Sequence, residues 1–115
     1  MKKDPRIFIQ HILDSITLIE EYVQGITKEE FLSRTEKQDS VIRRVIIIGE
    51  AVKYLSSEVK ANYPEVPWRR IAGMRDLLIH EYFGIDLDLT WQVVQNDLEV
   101  FKQNLLKIDS DLERP

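Results

Sequence analysis

From Leu87 to Leu112 the chain places Leu87, Trp91, Val94, Leu98, Phe101, Leu105, Ile108 and Leu112 at alternating steps of four and three, without a break. Steps of four and three return to one face of an α-helix, whereas a strand would scatter them over both faces of a sheet. A seam of this length has to pack along other helices or against a partner helix. No segment shows sustained period-two alternation, so nothing in the chain reads as a half-buried strand. The fold class expected is all-α, an antiparallel four-helix bundle with an additional short helix.

The other helices carry their own start and stop signals. Asp4-Pro5 suits an N-cap followed by the first helical position. Phe8, Ile12, Ile16, Ile19 and Val23 then recur at helical spacing, up to Gly25, which suits the left-handed position after a helix. Thr27-Lys-Glu-Glu30 reads as a capping box for a short helix, and Thr35-Glu-Lys-Gln38 as a second box opening a long one that ends near Asn62-Tyr63-Pro64. That long helix carries two apolar stripes: Val41, Val45, Ile48, Val52, Leu55 and Val59 form the first, and Ile42, Ile46 and Gly49 the second. Two stripes imply burial on two sides, which either a central place in the bundle or a dimer interface would supply. Pro67-Trp68 begins the fourth helix, and Asp86 or Asp88 can cap the last.

Length and composition narrow the functions. A chain of 115 residues makes one domain, 1–115, and its 43% hydrophobic and 31% charged residues are ordinary for a globular protein. There is no cysteine, which excludes disulfides, thiolate metal sites and a cysteine nucleophile. The two histidines, His11 and His80, are too few for a histidine-rich metal centre, and Asp76, Glu81, Asp86 and Asp88 are not spaced to gather three ligands; no metal and no cofactor are expected. The longest apolar run, Val45 to Ile48, cannot span a membrane, and the N-terminus lacks a secretory pattern, so a cytoplasmic protein is expected. With a net charge of −4 the molecule does not attract nucleic acid as a whole; any such site must be a local basic patch. Arg43, Arg44, Lys53, Arg69 and Arg70 are its candidates, although each alone reads as a solvated charge. Trp68 and Trp91 read as core anchors before base-stacking surfaces.

The stretch "GMRDLLIHEYFG", residues 73–84, holds the chemistry. Spacing alone decides nothing, because Arg6 and His11 repeat the five-residue step of Arg75 and His80 in a helix where packing explains both. Five residues of an ideal helix turn by about 140°, so one straight helix cannot aim Arg75 and His80 at one phosphate. Either the helix ends near His80 or two copies of the motif converge across a two-fold interface. Asp76 lies one turn before His80 and would orient the ring by a hydrogen bond. Glu50, set between the stripes of the long helix, is expected as a supporting carboxylate paired with Arg43 or Arg75. An arginine for phosphate and an imidazole for proton transfer are the minimum set for cutting RNA through the ribose 2′-hydroxyl.

Residues 67–98, "PWRRIAGMRDLLIHEYFGIDLDLTWQVVQNDL", together with "VIRRVIIIGEAVKYLS" at 41–56, closely resemble the HepT-like family of HEPN-domain ribonucleases. The fuller pattern Arg75, His80, Tyr82, with polar Asp76 after the arginine, is more specific than the arginine–histidine pair. The resemblance implies a toxin of a type II toxin–antitoxin pair, a homodimer whose two motifs line a cleft and cut RNA without metal. It implies a partner, the MntA-like nucleotidyltransferase antitoxin, that adds AMP to the motif tyrosine, Tyr82. On that reading His80 is general base or acid, Arg75 stabilises the charge on the phosphate, and neither DNA nor a membrane is a partner. Two other readings stay open on the residues alone: a non-catalytic helical module that binds a nucleotidyltransferase or a nucleotide, and a plain helical adaptor.

Overall fold

The computed structural model describes residues 4–80 and 84–113. Helix α1, Pro5–Val23, starts where Asp4 accepts the amide of Arg6 at 2.9 Å, and the chain turns out of it through Gly25 at φ 75°. Its buried face is Ile9, Ile12, Leu13, Ile16 and Ile19. Helix α2, Lys28–Ser33, opens with the expected capping box: Thr27 Oγ1 accepts from Glu30 N, and Glu30 Oε1 accepts from Thr27 N. Its one buried side chain, Phe31, packs against Trp91 with ring centroids 5.4 Å apart.

Helix α3, Thr35–Tyr54, begins differently from expectation. No side chain caps it; Gln38 instead turns its amide back to the carbonyls of Phe31 and Leu32, closing the end of α2 at 2.9 and 3.1 Å. It also ends at Tyr54, more than two turns short of the end expected near Asn62. Leu55 is extended, and Ser56 caps a separate helix α4, Ser57–Asn62, by accepting the amide of Val59. The stripe survives because the break is short: Leu55 and Val59 are both still buried.

The fourth long helix of the sequence reading is two single turns, α5, Trp68–Ala72, and α6, Met74–Leu78, separated by Gly73. Beyond α6 the chain is extended. Strands β1, Ile79–His80, and β2, Gly84–Ile85, form a minimal antiparallel pair with His80 opposite Gly84. Two residues per strand are too few to leave a period-two signature in sequence. The last rod is continuous but not uniform: α7, Leu87–Gln92, widens into a π-helical stretch, Val93–Asp97, and continues as α8, Leu98–Glu113. The wider turn lets the consecutive Val93 and Val94 both face inward.

Cross-links between the rods show how they run. Phe8 near the start of α1 stacks on Tyr54 at the end of α3, so these two helices are antiparallel. Arg6 pairs with Asp109 at 3.1 Å and Glu20 with Lys102 at 3.1 Å, so α1 also runs against α8. Trp68 stands edge-on to Phe101 and donates its indole N–H to Tyr63 O, while the Tyr63 hydroxyl donates to Asp111, holding the phenol above its ordinary pKa. These bonds tie the Pro64–Pro67 loop to α8. No helix among the described residues is long and apolar enough to cross a membrane.

Gly49 is where α5 meets α3. A Cβ at that position would stand 3.1 Å from the carbonyl oxygen of Ala72 and 3.4 Å from that of Ile71, backbone atoms that cannot rotate away. Gly49→Val therefore overpacks the α3–α5 contact and should lower the free energy of unfolding by about 1–3 kcal/mol, read from urea denaturation. An unchanged midpoint would show that α5 does not rest on α3 in solution.

Candidate functional site

Alternate burial fixes the helix that carries the motif. Met74 and Leu78, one turn apart on α6, are buried with Ile71 of α5 in the core, which leaves Arg75 and Asp76 on the solvent side. Gly73 N donates to Arg69 O and Leu77 N to Gly73 O, so the junction between the two turns keeps its backbone bonds. Arg75 Nη1 donates to Asp76 Oδ1 at 3.3 Å, a pair open to solvent on both sides.

The helix then stops. Ile79 takes φ −108° and ψ 123°, and the carbonyl of Leu78, which a continuing helix would use internally, accepts the amide of Asp86 at 2.7 Å. Asp86 anchors the return at three points. Its own amide makes that bond, its carboxylate accepts Leu89 N as the cap of α7, and its carbonyl accepts the hydroxyl of Thr90. Thr90 is fully buried, and this bond satisfies it. Gly84 supplies the positive φ, 80°, on the return strand. His80 is thereby carried on extended backbone, exposed, two residues past the helix that carries Arg75.

Of the two geometries that the 140° argument allowed, the chain takes the first: the helix ends before His80. That ending removes the helical spacing on which the expected bond from Asp76 to His80 rested. With α6 closed at Leu78, Asp76 and His80 are no longer one helical turn apart. No hydrogen bond joins them, and Asp76 pairs with Arg75. The ion pair expected of Glu50 is also not formed. Glu50 is exposed and lies in a salt bridge with neither Arg43 nor Arg75. Of the basic candidates, Arg70 is engaged by Asp97 at 2.9 Å, Arg44 is half-buried, and Arg43, Lys53 and Arg69 are exposed. Trp68 is a core anchor as expected, and Trp91 is half-buried against Phe31. His11 is exposed and has no hydrogen-bond partner among the described residues. Tyr82 and Glu81 lie outside the described residues. Among the described residues no three of His, Asp or Glu gather to hold a metal ion.

Sequence reasoning missed the short strand pair and the triple use of Asp86. The signal for both was present in "GID", a glycine able to take positive φ followed two positions later by a capping residue.

A family model described as "Ribonuclease HepT-like" matches residues 12–108. A Thermococcus cleftensis protein named "Probable ribonuclease HepT" is 41% identical over 108 residues, 94% of this chain and 98% of that one. A Methanocaldococcus jannaschii protein named "Gamma-glutamylcyclotransferase and putative RNase" is 48% identical over 114 residues. That match covers 99% of this chain but 51% of the relative, so the chain spans about half the length of that protein. No solved structure gives a significant match.

Asp86 holds the segment behind His80 through a cap and two backbone bonds. Asp86→Ala removes the cap and should cost about 0.5–2 kcal/mol of stability by urea denaturation. It should also speed amide exchange at Leu89, whose N–H loses its acceptor; protection at Leu89 equal to that of the native chain would mean the cap holds nothing in place.

Proposed function

We propose that this chain, which belongs to the HepT-like ribonuclease family, cuts RNA internally with Arg75 and His80 as its catalytic residues. The observation that carries the reading is the way the fold presents them. Core burial of Met74 and Leu78 pins α6, and the stop at Leu78 puts a solvent-facing imidazole just beyond a solvent-facing guanidinium. Arg75 is a permanent cation with a planar fork suited to phosphate oxygens. His80 accepts the proton of the 2′-hydroxyl as that oxygen attacks the adjacent phosphorus, or donates one to the departing 5′-oxygen. The bond formed is 2′-O–P and the bond broken is P–O5′, leaving a 2′,3′-cyclic phosphate and a free 5′-hydroxyl. Two copies bring their motifs to one cleft, and the activity is that of a toxin held in check by an MntA-like nucleotidyltransferase.

His80→Ala should lower the rate of RNA cleavage, assayed with EDTA present, by roughly 10²–10⁴-fold while leaving helicity unchanged. His11→Ala is the matched control and should cut as the native chain does. A drop of less than tenfold at His80 would remove it from the chemistry.

Tyr82 is the residue on which the antitoxin is proposed to act, a reading supported by the motif resemblance. Transfer of AMP to its hydroxyl releases pyrophosphate from ATP and sets a bulky anion in the motif, where it competes with RNA for Arg75. Incubation with antitoxin and ATP should add about 329 Da per transferred group to the peptide containing Tyr82. Tyr82→Phe should keep cleaving and escape silencing; equal silencing of the Phe variant, or mass added at Tyr54 or Tyr63, would overturn the assignment.

A further inference from the structure

Between the short turns α5 and α6 and the start of α8 the surface opens into a pocket of about 230 Å³. Its floor is apolar: Ile71, Met74 and Phe101 are all buried. Val100 stands at its lip, a large apolar side chain left 63% exposed. The polar edge comes from three side chains. Asp97 and Asn104 share a face of the last rod with Phe101, at steps of four and three, and Arg70 reaches across from α5. Arg70 Nε and Nη2 both donate to Asp97 Oδ2, at 3.3 and 2.9 Å. Asp97 Oδ1, Arg70 Nη1 and the half-buried amide of Asn104 make no hydrogen bond among the described residues. An acceptor and donors are thus held at one edge of an apolar slot, the arrangement by which sites for small planar ligands fix orientation.

We propose that this pocket takes a guanine base of the RNA substrate, a short way along the strand from the phosphate that is cut. The subsite rests on the ribonuclease reading for what the bound strand serves.

Size and chemistry select the occupant. Pockets for drug-sized ligands run to about 300–1,000 Å³, so this one holds a single flat base and leaves sugar and phosphate outside. An ionised carboxylate only accepts hydrogen bonds. Guanine presents two adjacent donors, N1–H and the N2 amino group, to Asp97 Oδ1. Beside them its acceptor O6 meets Arg70 Nη1 or the Asn104 amide. Adenine and cytosine each set a ring-nitrogen lone pair next to the amino group, where it would face the carboxylate. Uracil offers one N–H between two carbonyls. A protein partner is a poorer occupant. An aliphatic side chain would fill the floor and leave the polar edge unpaired, and a basic one would meet the charge of Arg70.

The arginines lay out the path of the strand. The junction at Gly73 keeps its backbone bonds, so α5 and α6 follow nearly one helical course. Arg69 then lies about 100° around from Arg70, and Arg75 roughly 120° further in the same sense. All three are exposed. A strand carried over the outer side of these turns sets phosphates on Arg75 and Arg69, and the base beyond turns in past Arg70. Phosphate contacts position such a strand, and the pocket supplies the sequence preference.

Binding of short RNAs to the full-length His80→Ala chain tests the subsite, since this variant leaves the strands uncut. The probes are AAGAA, AAAAA, and AAGAA with inosine, which lacks the N2 amino group, in place of guanine. AAGAA should bind at least about tenfold more tightly than AAAAA, with the inosine strand between them. In NMR spectra AAGAA should shift the Met74 methyl and the Asn104 side-chain amide. Asp97→Asn should reduce the preference to under about threefold while AAAAA binds as before. Asn104→Ala, which leaves the Arg70–Asp97 pair in place, should also lower it and decides the matter if Asp97→Asn does not fold. A guanine preference under tenfold, or one that a folded Asp97→Asn chain keeps above threefold, would overturn the proposal. So would an unmoved Met74 signal, which would leave the pocket to a protein side chain. Guanine-selective binding at Met74 by a chain whose native form cuts no RNA would instead refute the ribonuclease reading and leave the subsite standing.

Discussion

Two side chains one turn apart, Met74 and Leu78, hold the motif segment to the rest of the molecule. A helix of five residues has no independent stability in water, because nucleation costs more than its few internal bonds return. Its position is therefore dictated by the core beneath it. Burying two such side chains contributes about 1.5–3 kcal/mol each by area, enough to fix which way the single turn faces. Once Met74 and Leu78 point inward, Arg75 and Asp76 have to point outward, and the next free carbonyl, Leu78 O, is placed to receive Asp86 N. The exposed imidazole follows from the same bond.

Much of the fold was legible because helix caps and helix faces are local. Asp4, Thr27 with Glu30, Gly25 and Asp86 act as their residue types require. The breaks were not legible, and for a common reason. Interruptions at Leu55 and at Gly73 preserve the phase of the apolar positions, and the π-helical turn keeps both Val93 and Val94 inward, so the apolar pattern reads straight through all three. Gln38 shows a different limit: its amide serves the helix before it, a choice decided by where the carbonyls of Phe31 and Leu32 come to lie.

At the candidate site the argument from angles fared better than the argument from neighbours. That Arg75 and His80 could not share one straight helix followed from geometry alone, and the chain does end the helix between them. The partners assigned to Asp76 and Glu50 assumed continuity and burial. Asp76 lost its helical relation to His80 when α6 closed, and Glu50 lies on an open face where no desolvation cost compels a partner.

The Arg75–Asp76 pair has a consequence for how an acidic chain could accept an anion. Both side chains are more than half exposed, at 59% and 84%, and the contact is long at 3.3 Å. A pair so open to water contributes about 0–1 kcal/mol and is easily exchanged. Asp76 thus neutralises Arg75 without holding it tightly, and a phosphate offering two oxygens to the guanidinium fork can replace it at small cost. Had Arg75 been locked in a buried ion pair, release would have required leaving a carboxylate desolvated, at several kcal/mol. The exposure of the pair, set by the inward turn of Met74 and Leu78, is what leaves the arginine available.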